Sequence, residues 1–358
     1  MDVGVRNLSK VAPGAATTST FQGNNNRINF SVAEDLGGGM RAIANVAMRF
    51  EGSTGLTEGS GARPLFQGET RVGVSGGFGT VLLGRGLTAL QAPNGGNSDP
   101  WGVTTVAGSV YAAGFATDYA AGGEGRIDQG IFYTAPTISG FTLSASFSPS
   151  KLGAPAVAAV APTAATATAV ETLGSNAVAA VTANKTHYSL NALYAAGPLV
   201  VGVGQEQNRV GDTLTQLYGN YDLGVAKIFA STAKIKGGTA AERAGITFAA
   251  SGAGVNHGAM SAAGGVAAGR TIDNHTIGAI VPMGATSFRV GYSIWNGNGS
   301  AGAKDDTKIG LGIRHSLSKR TYVYSDVASQ TRKNNTGTRP DRDNTTLRSF
   351  DVGVAHSF

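Results

Sequence analysis

The residues most able to do chemistry in this sequence are fixed charges that could face one another across a narrow passage. Three strand-like segments that lie far apart in the chain each carry an arginine of this kind: Arg27, Arg85 and Arg126. Acids stand in the long segment between the second and third of these arginines: Asp99, Asp118 and Glu124. Fixed cations opposite a few anions select among solutes by charge, without covalent chemistry. The sequence therefore predicts that these six residues form a pore constriction.

Further arginines are expected to line an aqueous interior without a special role, because they occur singly in other strand-like segments. They are Arg41, Arg49, Arg71, Arg289 and Arg314. Asp128 follows Arg126 by two residues and would share its face of a strand. We expect Asp128 to offset the charge of that arginine.

Motifs of enzyme active sites and metal sites do not stand out. No two of the five histidines have the close spacing of a zinc site. A GxxxxGK[ST] phosphate-binding loop is missing, and GGFG at 76–79 joins strand to strand, so it predicts a hairpin turn. A barrel enzyme would need a Ser–His or Asp–His constellation at a rim, and none is evident. The sequence predicts no catalytic residue, no metal site, no cofactor and no enzymatic activity.

The composition narrows the class of protein. The chain has 358 residues, including 54 Gly and no Cys, and only 14% of its residues are charged. The absence of Cys excludes a disulfide scaffold and cysteine metal sites. The net charge of +6 is modest, and Lys and Arg are scattered singly rather than in runs, so nucleic acid is not an expected partner.

Large apolar residues alternate with small or polar residues through most of the chain. Near its end, Phe350, Val352 and Val354 lie on one face, and Asp351 and Gly353 lie on the other. This period of two predicts β-strands with one apolar face. A soluble β-rich adhesin would show the same period. Here, however, the polar face is rich in Gly, Ser, Asn and Arg, which favours a water-filled lumen.

Short and long connections alternate along the chain, which is the layout of an outer-membrane barrel. Counting on this rhythm gives sixteen strands, at 2–8, 25–34, 40–51, 67–75, 79–88, 125–135, 140–149, 184–196, 198–208, 212–222, 224–236, 269–282, 285–295, 305–316, 320–330 and 345–358. An even number lets an antiparallel barrel close without an exposed edge. The predicted fold is all-β: a sixteen-stranded antiparallel transmembrane β-barrel with an inward-folded third loop, forming a single domain over 1–358.

The third loop, at about 89–124, is too long for an ordinary surface connection in a compact domain. We expect it to fold back into the lumen and set the width of the pore. Val81, Leu83 and Arg85 occupy alternate positions and would lie on the same face of an ideal strand. Because that face is the apolar one, Arg85 would point outward. A β-bulge, or the end of the strand, would turn it inward.

Two segments bear on membrane targeting and insertion. The start of the chain shows no basic and apolar signal peptide, which an outer-membrane protein needs before processing. The uncharged segment 153–170 contains Pro155 and Pro162, which argue against an uninterrupted spanning helix. We expect a low-complexity surface loop there.

Several stretches, taken in order, carry a resemblance to a known family. They are DVGVRNLSK, INFSVAEDLGGGMRAIANV, RVGVSGGFGTVLLGRGLTAL, GRIDQGIFY, IRHSLSKRTYVYSDVAS and the closing DVGVAHSF. Together they resemble the Gram-negative general porins, especially the betaproteobacterial branch. The resemblance spans nearly the whole chain and is strongest at the turns and at both ends.

The resemblance implies a water-filled barrel in the outer membrane of a Gram-negative bacterium, usually a homotrimer, surrounded by lipid and lipopolysaccharide. It also implies an arginine cluster on the barrel wall, which Arg27 before INF, Arg85 in LGRG and Arg126 in GRID match by motif. Phe358 resembles the terminal aromatic signal that the barrel-assembly machinery recognises during membrane insertion.

The start of the chain departs from the family pattern. Members usually begin several residues earlier, with half a strand similar to SSVTLYG. The first strand is therefore expected to be truncated at its N-terminal half and to cover only part of the last strand, leaving backbone groups near Phe358 unpaired.

The resemblance and the residues together predict a general diffusion channel for passive passage of small hydrophilic solutes and ions, with a weak preference for anions. The alternative is a substrate-selective channel of the same fold for organic acids or other small anions. A barrel enzyme and a soluble adhesin are less favoured. The sequence does not identify the preferred solute.

Overall fold

The computed structural model describes residues 1–8, 18–21, 26–58, 61, 64–102, 104–108, 125–149, 185–208, 211–239, 271–296, 305–333 and 346–358. Seventeen strands and one short helix are assigned within these residues. The predicted loop at 153–170 and most of the other long predicted loops lie outside this part of the chain.

The strands are β1 (Asp2–Leu8), β2 (Thr18–Phe21), β3 (Arg27–Gly37), β4 (Met40–Arg49), β5 (Glu69–Gly76), β6 (Gly79–Leu87), β7 (Arg126–Thr134), β8 (Phe141–Ser148), β9 (His187–Ala196), β10 (Leu199–Gln207), β11 (Thr213–Asp222), β12 (Lys227–Lys236), β13 (Thr271–Met283), β14 (Thr286–Asn296), β15 (Asp305–Ser316), β16 (Thr321–Lys333) and β17 (Thr346–His356). Sixteen of them match the predicted strands, with every bound within three residues. The additional strand, β2, lies between the predicted strands 2–8 and 25–34.

Antiparallel ladders join each strand from β3 to β17 to the next strand along the chain. β1 then joins β17 to β2, and only five residues separate β2 from β3. Asn26 completes this junction, because its side-chain amide donates to the backbone oxygen of Asp2 at 3.0 Å and its own carbonyl accepts from Phe50 N–H at 3.1 Å. The sheet thereby returns to its starting strand and closes a barrel.

The first and last strands pair with each other at the chain ends. β1 runs alongside the last strand from Asp2 opposite Ala355 to Leu8 opposite Ser349. Met1 and His356 exchange backbone hydrogen bonds beyond that ladder. The register thus brings Met1 level with His356, the last residue of β17. The truncation of the first strand and the unpaired groups expected near Phe358 stay predictions.

The burial pattern is inverted relative to a water-soluble protein. On β17, Phe350, Val352 and Val354 are 44–47% exposed, whereas Asp351 is fully buried. Other strands repeat this arrangement, with exposed Leu, Val and Ile and buried Ser, Asn and Asp. An apolar outer band around a polar interior suits a barrel surrounded by lipid, and it removes the soluble adhesin as an explanation.

Aromatic residues gather beside the short turns. Tyr133, Phe141 and Tyr221 are exposed, and the ring of Phe141 lies 4.6 Å from the ring of Tyr194, centroid to centroid. Each of the four residues is close to a turn that joins adjacent strands. This is the position of an interfacial aromatic girdle.

The first short turn, between β3 and β4, has left-handed backbone geometry at three consecutive glycines. Gly37, Gly38 and Gly39 have φ values of +79°, +59° and +77°, which residues with a side chain rarely adopt. The β3–β4 register shifts between Asp35 and Gly37, at the entry to this turn.

The helix α1 (Gln91–Asn94) lies just after β6. Within the described ranges, no helix has the length and apolar character needed to cross a membrane.

Candidate functional site

The segment from Thr88 to Gly108, here called the constriction loop, turns into the barrel directly after β6. The Thr88 hydroxyl donates a hydrogen bond to the buried Glu206 carboxylate on β10 at 2.8 Å. The next backbone amide, of Ala89, donates to the Ser146 hydroxyl on β8 at 3.1 Å. These contacts fix the start of the loop against polar side chains of the inner wall.

The loop continues across the next strands. Leu90 packs into a small buried apolar cluster whose other members are Leu214, Tyr218, Ala233, Ile235 and Trp295. The Asn94 side-chain amide donates to Gln216 on β11 at 2.9 Å. Asn220, four residues further along the same strand, donates to the Asn97 side chain at 3.0 Å.

The far part of the loop is attached to the last strands. The Trp101 indole donates to the Asp326 carboxylate on β16 at 2.7 Å, and the Val106 amide donates to Asp351 on β17 at 2.8 Å. Lys308 on β15 donates to the Gly108 carbonyl at 2.5 Å. The described loop therefore lies along the inner wall from β8 to β17.

Glycines on this wall allow the loop to approach closely. A Cβ built on Gly291 would lie 2.7 Å from the Trp101 ring, and one on Gly310 would lie 2.6 Å from the Ala107 carbonyl oxygen. Such contacts are far inside normal van der Waals distance. Side chains at these lumen-facing positions would displace the loop toward the centre of the pore.

The opposite part of the wall, β3 to β7, carries the three arginines predicted for the constriction. Arg27 begins β3, is exposed, and stands opposite Arg49 in the β3–β4 ladder. Arg126 begins β7, is buried, and stands opposite Leu87. All three positions thus lie within five consecutive strands, and the described part of the loop is attached to other strands.

Arg85 lies at an irregularity in the β6–β7 pairing. The register shifts between Gly84 and Gly86, so that Asp128 and Gln129 together stand opposite Arg85. A β-bulge was one of the two alternatives that the sequence left open for this position, the other being the end of the strand. The Arg85 guanidinium donates to the Asp128 carboxylate at 2.5 Å and to the Gln67 carbonyl at 2.8 Å. Asp128 therefore pairs with Arg85, whereas the sequence pattern placed it beside Arg126.

Two arginines of the predicted lumen lining on this wall are also paired. Arg49 is buried and forms an ion pair with Glu58 at 2.8 Å. Arg71 pairs with Glu69 at 2.6 Å, and its guanidinium lies 5.3 Å from the centre of the Phe132 ring. Arg41, by contrast, is exposed near the first short turn, opposite Asp35.

The predicted acids are only partly described. Asp99 lies within the loop and is buried, and its carboxylate accepts the Trp101 backbone N–H at 2.8 Å. Asp99 thus helps to shape the turn that carries Trp101. Asp118 and Glu124 lie outside the described residues.

The structure identifies charged residues that the sequence analysis missed. Arg6 on β1 pairs with Asp351 at 3.3 Å, and both side chains are almost completely buried. The Tyr324 hydroxyl donates to the Asp2 carboxylate at 2.8 Å. The alternation of side chains along β1 places Asp2 and Arg6 on the same face of the strand. This pattern was the one sign in the sequence that the two residues could face the lumen together. Their partners, however, are more than 300 residues away in the sequence.

Comparison with known proteins agrees with this arrangement. A sequence model of the family described as Gram-negative porin matches residues 1–335. No curated protein sequence matches significantly.

Solved structures with the same fold include an anion-selective porin from Comamonas acidovorans, with a TM-score of 0.73 at 20% identity, covering 100% of this chain and 97% of that one. OmpT of Vibrio cholerae, described in a trimer form, matches with a TM-score of 0.58 at 13% identity, covering 100% and 98%. A mutant of Rh. blastica porin matches with a TM-score of 0.59 at 15% identity, covering 100% and 97%. At these identities the structures establish the fold.

Proposed function

The chain belongs to the Gram-negative porin family, and we propose that its outer-membrane channel passes small hydrophilic solutes and ions with a weak preference for anions. The family forms channels and not enzymes, in the outer membrane of Gram-negative bacteria. The anion preference, and the residues that cause it, are our proposal.

The observation that carries the proposal is the unequal use of the barrel wall. The described loop is attached along β8 to β17, and its hydrogen bonds engage Ser146, Glu206, Asp326 and Asp351 of that wall. The wall from β3 to β7 has no contact of this kind with the described loop, and it carries Arg27, Arg85 and Arg126. A solute between the loop and the opposite wall would therefore pass these arginines.

The expected preference is weak because several charges on this wall are offset. Arg49, Arg71 and Arg85 each have a carboxylate within 2.8 Å. Arginine stays charged at any physiological pH, so the remaining positive potential is permanent. Unit charges about 4 Å apart interact by about 1 kcal/mol in bulk water and by about 4 kcal/mol at an effective dielectric constant of about 20. The smaller of these energies is enough to change ion occupancy several-fold.

The solved structure from Comamonas acidovorans is described as anion-selective. At 20% identity, this similarity establishes only the fold. The anion selectivity of that porin is one reason to propose the same preference for this chain. Asp99, Asp118 and Glu124 are proposed as the acids on the loop side of the constriction.

The test is the reversal potential in a potassium chloride gradient across a planar bilayer. We expect chloride to be preferred over potassium at low salt, with a smaller preference as the salt concentration rises, because the screening length is about 10 Å at 0.1 M. Arg85→Ser combined with Arg126→Ser should reduce the preference strongly, and Arg314→Ser should change it much less. Cation selectivity in the unmutated protein, or indifference to the double substitution, would contradict the proposed constriction wall.

Porins form trimers, and we propose that this chain forms a homotrimer that resists mild SDS and separates into monomers on heating. Phe358 is 92% exposed at the end of the chain, where the barrel-assembly machinery would have access to it before insertion. Outer-membrane lipid and lipopolysaccharide would contact the apolar outer band. A monomer mass in native mass spectrometry from a gentle detergent would contradict the trimer.

A further inference from the structure

A pocket of about 190 Å³ lies between the constriction loop and the inner face of β14 to β16. Trp101, Thr104 and Thr105 of the loop form one side. Arg289 and Arg314 contribute to the other side, on the strands that lead to the short turns at 284–285 and 317–320. The pocket belongs to the loop-covered wall and is thus separate from the arginines of β3 to β7.

The two arginines have hydrogen-bond donors to spare. No ion pair joins either of them to a carboxylate among the described residues, although Arg6, Arg49, Arg71 and Arg85 all have one. The Nε of Arg289 is buried without a hydrogen-bond partner in this part of the chain. A buried donor without an acceptor is costly, so an anion that reached it would be held.

The acids of the pocket, in contrast, are already engaged. Asp2 accepts the Tyr324 hydroxyl at 2.8 Å, and Asp326 accepts the Trp101 indole N–H at 2.7 Å. These bonds keep both carboxylates directed at the protein. The hydrogen-bonding capacity left for a ligand is mainly that of the guanidinium groups, supplemented by the threonine hydroxyls.

Flat aromatic surfaces surround the same space. Trp101, Tyr322 and Tyr324 all line the pocket, and the Arg314 guanidinium stacks 3.4 Å from the centre of the Tyr322 ring. This stacking fixes the plane of the guanidinium beside an apolar face. A cavity of about 150 Å³ is large enough to hold benzene. The volume here therefore suits one aromatic ring that carries a carboxylate.

We propose that this pocket binds small aromatic carboxylates of the size of benzoate as they pass through the lumen. The carboxylate would accept hydrogen bonds from Arg289 and Arg314, and the ring would pack against Trp101 and Tyr322. The inference rests on the proposed function only in that anions must enter the pore.

Trp101 provides a direct measure of binding. The chain has two tryptophans, so Trp295→Phe leaves Trp101 as the single fluorescent indole. In the detergent-solubilised protein with this substitution, we expect benzoate to change the fluorescence in a saturable manner. Adding Arg289→Ser and Arg314→Ser should weaken the apparent affinity by about tenfold or more, because charge-assisted hydrogen bonds are lost. Arg320→Ser, at an exposed position next to β16, is the matched control and should leave the affinity unchanged.

The ligand class is tested with two partial analogues. Acetate carries the charge without the ring, and benzyl alcohol carries the ring without the charge, so both should bind more weakly than benzoate. Equal binding of acetate would reduce the pocket to a simple anion site and overturn the proposal. An unchanged titration in the double arginine variant, or in Arg314→Ser alone should the double variant not fold, would overturn it as well.

Single-channel recording separates this inference from the proposed function. Benzoate should block the current of the unmutated channel, and the block should weaken in Arg289→Ser with Arg314→Ser. Arg85→Ser with Arg126→Ser should lower chloride preference and retain the saturable fluorescence change. If the unmutated channel had no chloride preference but benzoate still changed the Trp101 fluorescence, the proposed selectivity would be wrong and the pocket would stand. If the channel preferred chloride but benzoate left the Trp101 fluorescence unchanged, the proposed pocket would be wrong and the selectivity would stand.

Discussion

The two parts of the barrel wall use their polar residues differently. On the loop-covered wall, β8 to β17, buried side chains such as Ser146, Glu206 and Asp326 accept hydrogen bonds from the loop. On the uncovered wall, β3 to β7, charged side chains pair with other residues of that wall, as Arg85 does with Asp128. Polar residues therefore hold the loop on one side and set the potential of the pore on the other.

This difference predicts different consequences of substitution. Removing a polar group from the covered wall should cost stability and loosen the loop, because the partner is left buried and unsatisfied. Removing a charge from the uncovered wall should mainly change ion selectivity. Substitutions on the covered wall should therefore have the largest effects on stability.

The largest loss of stability is expected from Asp351→Ala. This carboxylate accepts from Arg6 and from the Val106 amide, and both side chains of the ion pair are nearly fully buried. Breaking a buried pair from one side typically costs about 3–5 kcal/mol. The free energy of unfolding in urea should fall by that amount. Asp351→Ala combined with Arg6→Leu is the control, and it should recover part of the loss since no charge remains unpaired.

The comparison of the single and double variants can also contradict this explanation. If the single and double variants lost the same stability, the Arg6 charge would not be the source of the penalty. The bond to Val106 would then dominate, and the residue would act as a loop anchor alone.

A smaller loss is expected from Thr88→Val at the root of the loop. The substitution preserves shape but removes the hydroxyl that donates to buried Glu206. Leaving a buried acceptor unsatisfied costs about 1–3 kcal/mol. We expect lower stability and more frequent current fluctuations in single-channel recordings, since the loop would be attached less firmly. Thr134→Val, at an exposed position on β7, should change neither measurement. Quiet, unaltered channels in Thr88→Val would show that the loop does not depend on this contact.

The sequence predicted the strands far better than it predicted this division of roles. Alternation and turn spacing depend on local sequence, so strand ends were predicted to within three residues. The one missed strand, β2, has only four residues and no room for a recognisable period. The pairing of Met1 with His356 depends on the register of closure, which no local pattern encodes.

Features of the candidate site that depend on the sequence of one strand could be predicted, whereas features that depend on contacts between distant segments could not. Alternation within β6 indicated that Arg85 needs either a bulge or the end of the strand, and the structure has the bulge. The partner of Asp128 could not be predicted in this way, because the bulge places Asp128 opposite Arg85 instead of leaving it beside Arg126. The pocket at Arg289 and Arg314 also needed the structure, since it depends on where Trp101 of the loop meets the wall.

On the uncovered wall, Asp128→Asn should increase chloride preference. Asp128 lies 2.5 Å from Arg85 and offsets its charge, and its side chain is 40% exposed, so the asparagine can be solvated. Stability should change by less than about 1 kcal/mol, as is typical of exposed pairs. The reversal potential in a potassium chloride gradient should shift toward chloride. Asp222→Asn, at the exposed end of β11, is the matched control for the loss of one negative charge. A shift of equal size in both variants would mean that only net charge matters and that Arg85 has no special position.

The smallest effect on the pore is expected from Gly38→Val in the turn between β3 and β4. Gly38 has a φ of +59°, and a Cβ placed there meets no atom within 4 Å, so the penalty comes from backbone conformation and not from a clash. Left-handed backbone costs residues with a side chain about 1–2 kcal/mol. Since the turn must form before β3 and β4 align, we expect slower refolding from urea into detergent. The folded fraction should keep the reversal potential of the unmutated channel, because the turn lies at the rim and the constriction loop contacts other strands. Gly77→Val is the control, as Gly77 is equally uncrowded without a positive φ, and it should slow refolding less. A changed reversal potential in Gly38→Val would place this turn at the constriction and refute the assignment of the short turns to the rim.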